Sequence, residues 1–211
     1  MIAVETVFQK LLAAHGEQFW WPAESDFEML IGAILVQNTN WSNVEKALAG
    51  LEAELNPEAI REMPTEELAL KIRPSGYYNQ KALKIKAFVA WQGEWEDDIH
   101  AIRQQPLAKL RAELLNIKGI GPETADCMLA YAFRKPVMVI DAYSRRLFAR
   151  IGYEVPKKYE AFQQMLETGL PDDLLILQEF HALIVEHCKQ YCQKTPKCLA
   201  CPLKRECKQY I

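Results

Sequence analysis

The chain has 211 residues, half of them hydrophobic and a quarter charged, with a formal net charge of -3. That balance excludes the disordered, collagenous and coiled-coil classes, and no apolar run approaches the ~20 residues of a membrane-spanning helix. The charge is uneven: residues 1–70 carry 3 basic and 12 acidic side chains, residues 71–211 carry 22 basic and 16 acidic, so the net sign does not exclude a polyanionic partner.

Nearly every segment reads as helix. Val4, Val7, Phe8, Leu11 and Leu12 recur at helical spacing, and Met1 to Lys10 has neither the basic start nor the apolar core of a secretion signal, so a cytoplasmic location is expected. Ser25 and Glu28 have capping-box spacing ahead of Phe27 to Val36, and Ser42 and Glu45 repeat it ahead of Val44 to Leu55. Asn56-Pro57 is a cap followed by a first-turn proline. Thr65 opens Glu66 to Ile72, which Pro74-Ser75-Gly76 ends; Lys81 to Trp91 and Pro106 to Leu115 follow. Pro122 starts Glu123 to Phe133, and later come Ala142 to Ile151, Tyr159 to Leu166 and Asp172 to Cys188. Val137 to Ile140 is the one β-like run, and a lone strand makes no sheet. The expected class is all-α.

Three features carry chemistry. Cys192, Cys198, Cys201 and Cys207 fall within a short C-terminal loop, and in a reducing compartment such a group reads as a metal framework before a disulfide one. The gaps suit a [4Fe–4S] cluster, with zinc as the alternative. Cys188, one helical turn before Cys192, competes as first ligand, whereas Cys127 sits in an apolar helix and reads as a core thiol. The second feature is Lys118-Gly119-Ile120-Gly121-Pro122 between two helical patterns. It reads as a helix-hairpin-helix whose amides suit a phosphate, or as an ordinary turn between helices. The third is Asp141, between the apolar run and the basic Ala142-Tyr143-Ser144-Arg145-Arg146. A plain N-cap is one reading. The other is an anion that activates water and stabilises a sugar cation. Two stretches are locally cationic, Arg134 to Lys158 and Lys189 to Lys208; they read as a solvated face or as a docking surface for phosphates.

The hairpin, Val139-Ile140-Asp141 and the four-cysteine loop, in that order, resemble the endonuclease III branch of the helix-hairpin-helix DNA glycosylases. Ile31-Gly32-Ala33-Ile34-Leu35-Val36-Gln37-Asn38-Thr39 is similar to that family's early helix with its DNA-plugging Gln, here Gln37. Gly76-Tyr77-Tyr78-Asn79-Gln80-Lys81-Ala82 is similar to its Gly-Leu-Tyr-Asn-x-Lys-Ala loop, which puts Tyr77 at the wedge position. His187 precedes Cys192 as the family's His precedes its first cluster ligand, which favours Cys192 over Cys188 and the cluster over zinc. The gap from Cys192 to Cys198 is one residue shorter than the family's common spacing.

The resemblance implies two helical domains: residues 20–131, a bundle ending in the hairpin (about 107–133), and residues 1–19 with 132–211, carrying Asp141 and the cluster loop (192–207). It implies a lesion pocket between them and DNA contacts by Gln37, Tyr77, Lys118, Gly119, Gly121 and Arg145. Bifunctional members carry a Schiff-base Lys where this chain has Glu123, and a carboxylate cannot form that adduct. A monofunctional glycosylase is therefore expected, with Asp141 as the catalytic anion and Glu123 shaping the pocket. Trp20, Trp21, Pro22 and Trp41 resemble the pocket of the 3-methyladenine glycosylase III subgroup. Cationic alkylpurines suit such ring faces, although the residues alone would as readily be packed core. The expected partner is double-stranded DNA with a damaged base, bound by a monomer. The alternatives are an endonuclease III-like enzyme for oxidised or mismatched pyrimidines and a non-catalytic iron–sulfur DNA-binding protein.

Overall fold

The computed structural model describes residues 2–208, and among them every regular element is helical. The chain divides into two compact units, residues 1–20 with 136–211, and residues 21–135.

The second unit contains α2 (Asp26–Leu35), α3 (Trp41–Ala49), α4 (Pro57–Glu62), α5 (Thr65–Lys71), α6 (Tyr78–Gly93), α7 (Ile99–Gln104), α8 (Leu107–Asn116) and α9 (Pro122–Cys127). A π-helical turn, Met128–Ala132, extends α9; its wider repeat closes through the Phe133 amide donating to the Met128 carbonyl at 2.9 Å. Helix α2 is buried along nearly its whole length and packs on α3, α6 and the π turn. Beyond its acidic first turn the helix is apolar on every side, from Met29 to Leu35, as a core element is. Ser25 caps it as expected, accepting from the Glu28 amide at 3.1 Å. The expected cap at Ser42 is not the one used: Asn40 accepts from the Asn43 amide, so α3 starts earlier and ends at Ala49, where a separate 3₁₀ turn, Glu52–Glu54, takes over. The Asn side chain takes an orphan donor two residues sooner than Ser42 would. Helix α6 likewise begins before the expected Lys81, and α7 was not foreseen.

The first unit is built from α1 (Val4–His15), α10 (Ala142–Ile151), α11 (Tyr159–Glu167) and α12 (Leu174–Gln190). Helices α1 and α10 pack on α12, with Phe8, Phe148, Phe162 and Phe180 in edge-to-face contacts at its centre. The run Val137 to Ile140 is buried but is no strand. Side chains take the place of a sheet: Glu167 accepts from the Met138 amide at 2.9 Å, the Tyr159 hydroxyl accepts from the Ile140 amide at 3.1 Å, and Gln163 donates to the Met138 carbonyl at 2.7 Å. Buried backbone groups must be paired, and here the pairing fixes the segment that delivers Asp141. No helix among the described residues is long and apolar enough to cross a membrane.

Candidate active site

Asp141 is the N-cap of α10. Its Oδ1 accepts from the Ser144 amide at 2.7 Å, and the Ser144 hydroxyl accepts from the Asp141 amide at 3.0 Å, which completes a capping box. Oδ2 stands 3.8 Å from Nε2 of the buried His181 on α12. Burial pushes the carboxyl pKa up, yet the His181 ring and the Ser144 groups outweigh it and hold the carboxyl below its usual range. The side chain is thus a cap and a buried, ionised anion at once. His181, which sequence reasoning missed, also meets the Trp20 ring at 5.4 Å, and the Lys189 ammonium lies 5.8 Å from the same ring's centroid.

The tryptophans do not form one undivided group. Trp20 belongs to the first unit and Trp21 to the second. Trp21 meets Trp41 edge to face at 5.3 Å and Tyr131 of the π turn at 5.3 Å. A Cβ on Gly32 would lie 3.4 Å from the Trp41 ring, in ordinary contact, so that ring rests on α2. Trp41 and Pro22 line a groove that also carries Glu24, Glu28 and Glu45.

In the hairpin, Ile117 and Ile120 are buried anchors. Gly119 takes φ +93°, a left-handed value that disfavours any side chain, and a Cβ there would stand 2.5 Å from Lys84 Cγ. Gly121 is different. Its φ of -94° and ψ of 176° suit any residue, and a Cβ there would meet nothing within 4 Å. Neither strain nor internal packing demands glycine at 121. Lys118 and Glu123 are exposed on either side.

Gln37, just past α2, folds onto this hairpin. Its Nε2 donates to the Gly119 carbonyl at 3.2 Å and to Thr124 Oγ1 at 3.0 Å, and the Lys84 ammonium donates to its Oε1. Tyr77 is 67% exposed and left-handed at φ +47°, following Gly76 at φ +69°. Such a conformation for an aromatic residue is strained and throws the ring outward. Beneath it the buried Lys81 donates to the Ser75 and Leu35 carbonyls, both at 2.7 Å, so one ammonium ties the Tyr77 turn to the end of α2. Desolvation, with Lys84 adding to it, lowers its pKa to about 8.

Arg145 donates to the Pro156 carbonyl at 2.7 Å and lies over the Phe162 ring. Its neighbours also turn inward. Arg146 donates to the Cys192 carbonyl at 2.7 Å, and Arg150 donates to Cys192 Sγ at 3.3 Å and to the Gln193 and Lys194 carbonyls. The exposed cations of these stretches are Arg134, Lys157, Lys158, Lys194, Lys197 and Arg205, among others.

Cys192, Cys198, Cys201 and Cys207 line one cavity with Leu147, Ile151, His187 and Leu203. Cys188 does not line that cavity; it is buried beside Cys192, with its Sγ 3.7 Å from the Tyr143 carbonyl. The Cys188 thiol, donating to Cys192, lowers the Cys192 pKa against its desolvation, with Arg150 and Arg146 assisting. A stabilised thiolate is what a soft metal centre binds. Among the described residues, no three His, Cys, Asp or Glu side chains converge to hold a single ion. His187 accepts or donates at 3.2 Å to His15 and lies 3.6 Å from Cys201 Sγ; burial and His15 lower its pKa to about 4.

Residues 31–172 match the HhH-GPD superfamily base excision DNA repair proteins. A putative DNA repair glycosylase of Methanocaldococcus jannaschii is 43% identical over 206 residues, spanning 95% of this chain and 94% of its own. Endonuclease III of Thermotoga maritima is 29% identical, spanning 87% of this chain and 83% of its own. Among solved structures, the H. pylori 3-methyladenine DNA glycosylase bound to 1,N6-ethenoadenine superposes with TM-score 0.80 at 30% identity, covering 90% of this chain and 98% of that one. A non-covalent endonuclease III–DNA complex superposes with TM-score 0.83 at 22% identity, covering 99% and 96%, a likeness of fold.

Proposed function

The chain belongs to the HhH-GPD superfamily of base excision DNA repair proteins, and from that premise we propose that it is a monofunctional glycosylase hydrolysing the N-glycosidic bond of alkylated purines in duplex DNA. The activity class is DNA N-glycosylase; the base removed and the absence of strand cleavage are the proposal. The observation that carries it is Asp141, a buried carboxyl kept ionised by His181 and Ser144, in a chain whose position 123 holds Glu rather than an amine.

Asp141 would orient a water and stabilise positive charge on the sugar. The C1′–N bond breaks with its electron pair leaving on the base, the water oxygen bonds C1′, and the water proton passes to the carboxylate and then to solvent. An N3- or N7-alkylated purine starts cationic and leaves neutral, so no acid is required on the base. Trp21 and Trp41 meet edge to face with Tyr131 buried against Trp21, and Glu28 and Glu45 border the groove beside Trp41. Aromatic faces with nearby carboxylates favour a cation over a neutral pyrimidine. The open Gly121 supports the reading of the hairpin as a place where a phosphate approaches backbone, with Lys118 beside it. Tyr77 and Gln37 would fill the space the extruded base leaves. The exposed Lys157, Lys158 and Lys197 would contact phosphates; Arg145 would act mainly through the fold of its own unit.

The donor set of the cysteine loop fits a [4Fe–4S] cluster: four soft sulfurs around one cavity, one of them already favoured as thiolate. Cys192, Cys198, Cys201 and Cys207 would hold it. Zinc is the poorer fit, because it asks four sulfurs to converge at ~2.3 Å on one point. When bound, the cluster would supply a structural tie between Cys192 and the loop's lysines. Iron and sulfide analysis of purified protein tests this, and stoichiometric zinc without iron would overturn it.

The function is tested with duplexes carrying 7-methylguanine, 3-methyladenine, thymine glycol or a G·T mismatch, measuring released base before and after alkali. Methylpurine release with nicks only after alkali is expected. Thymine glycol release with direct nicking would move the protein to the endonuclease III activity, and binding without release of any base to a non-catalytic role.

A further inference from the structure

Lys84 lies on α6, and its stem crosses Gly119 so closely that a Cβ there would overlap Lys84 Cγ, Cδ and Cε. Its ammonium donates to Gln37 Oε1. With Nε2 already donating to Gly119 and Thr124, the acceptor and the donor group of the Gln37 amide are engaged inside the protein. Three separate pieces of chain, the end of α2, α6 and the hairpin, meet on this one side chain. The residue after it, Asn38, is left-handed at φ +56°, so the backbone turns away immediately beyond the held amide.

We propose that Lys84 is a positioning residue that restrains Gln37, holding its amide on the hairpin and setting a threshold for inserting it into a DNA duplex. The inference rests on the reading of Gln37 as the group that fills the gap. An intact duplex offers the amide no unpaired partner, so it stays docked. A duplex with an orphaned base offers donors and acceptors on that base's edge, and insertion follows when these replace the docked bonds. The Lys84 bond is charge-assisted, so it is the strongest of the three that must be given up.

The test is binding rather than excision. Equilibrium affinities are measured for a duplex with a reduced abasic analogue and for the same duplex intact, and their ratio is taken. The loss of one cation weakens both duplexes alike and cancels in the ratio. Lys84→Met keeps the stem over Gly119 and removes the donor; the ratio is expected to rise about ten- to a hundred-fold, the size of one hydrogen bond to a charged group. In a Gln37→Ala background the same change is expected to leave the ratio unmoved, and Lys84→Arg, which keeps a donor, returns it toward the parent value. Should the Met variant fail to fold, Lys84→Leu, which also lacks a donor, serves in both backgrounds. A ratio that stays level or falls, or that rises equally without Gln37, overturns the restraint while leaving the glycosylase reading intact. A parent protein that binds neither duplex overturns both.

Discussion

The two units hold their candidate functional groups in opposite ways. In the unit of residues 21–135, Tyr77 and Lys118 stand exposed on turns and Glu123 at the start of α9, with left-handed backbone at Tyr77 and Gly119 shaping the turns. In the unit of residues 1–20 and 136–211, Asp141, His181 and Cys192 are buried, and hydrogen bonds and charge tune them. Gripping a polyanion needs reachable backbone and side chains, whereas holding an ionised carboxyl in a defined place needs the protein to replace water. Exposed groups in the first case should matter for affinity, and buried groups in the second for rate and stability.

The largest effect tests the buried side. Asn caps a helix about as well as Asp, so Asp141→Asn keeps the Ser144 bond while removing the charge. Single-turnover release of methylpurine is expected to fall by about 10² to 10⁴, with the cap retained and stability lowered only by the lost charge interaction with His181. A variant that retains its rate would make Asp141 a cap and nothing more. The next effect concerns Arg150, which bonds Cys192 Sγ and two loop carbonyls. Arg150→Met is expected to destabilise the protein by about 2 kcal/mol, since buried-side hydrogen bonds to a charged donor are lost, and to lower its iron content. Urea unfolding and iron analysis report the two, and unchanged values for both would mean that the arginine is a bystander.

His181 gives a pH signature. Asp141 has a depressed folded pKa, so its contribution to stability is present above the unfolded carboxyl value and is lost as pH falls through the folded one. The activity proposed for it would have the same acid boundary. His181→Phe removes the interaction with Oδ2 and leaves the desolvation, so the acidic limb of the rate profile should move to higher pH, with less acid-side stability. His181→Gln, which keeps a donor, should move it less. An unmoved limb in both variants would show that Ser144 alone sets the ionisation.

Much of this organisation is legible in the sequence, and the parts that are not share a cause. Helix α2, the Asn56-Pro57 start of α4, the hairpin and the Asp141 cap all follow from local signals: periodicity, capping residues, Gly and Pro. The start of α3 went to Asn40 rather than Ser42 because two good caps stood in competition. The Val137 to Ile140 run was ambiguous because its hydrogen-bond partners lie on α11, some twenty residues or more away in sequence. His181, Lys84 and Thr124 carry no local mark of their role; each matters through a partner distant in sequence. The adjacent Trp20 and Trp21 read as one motif, yet the chain passes from one unit to the other between them. The arginines of α10 read as a cationic stretch because charge is visible in sequence and direction is not.

That last point gives the smallest effect and the sharpest contrast. Arg145, Arg146 and Arg150 bond carbonyls of their own unit, whereas Lys157 and Lys158, a few residues on, are exposed. If the exposed pair meets DNA phosphates, replacing both with Ala should leave stability within about 0.5 kcal/mol of the parent. It should also reduce the slope of log affinity against log salt by about two, by the same amount on damaged and undamaged duplexes. Arg145→Met, by contrast, should lower stability and leave that slope nearly unchanged, because its guanidinium already has the Pro156 carbonyl and the Phe162 ring. A salt slope that responds to Arg145 and ignores the lysines would mean that α10 turns its arginines outward on DNA. The difference between an exposed gripping side and an inward-tuned side would then hold only for the protein without its duplex.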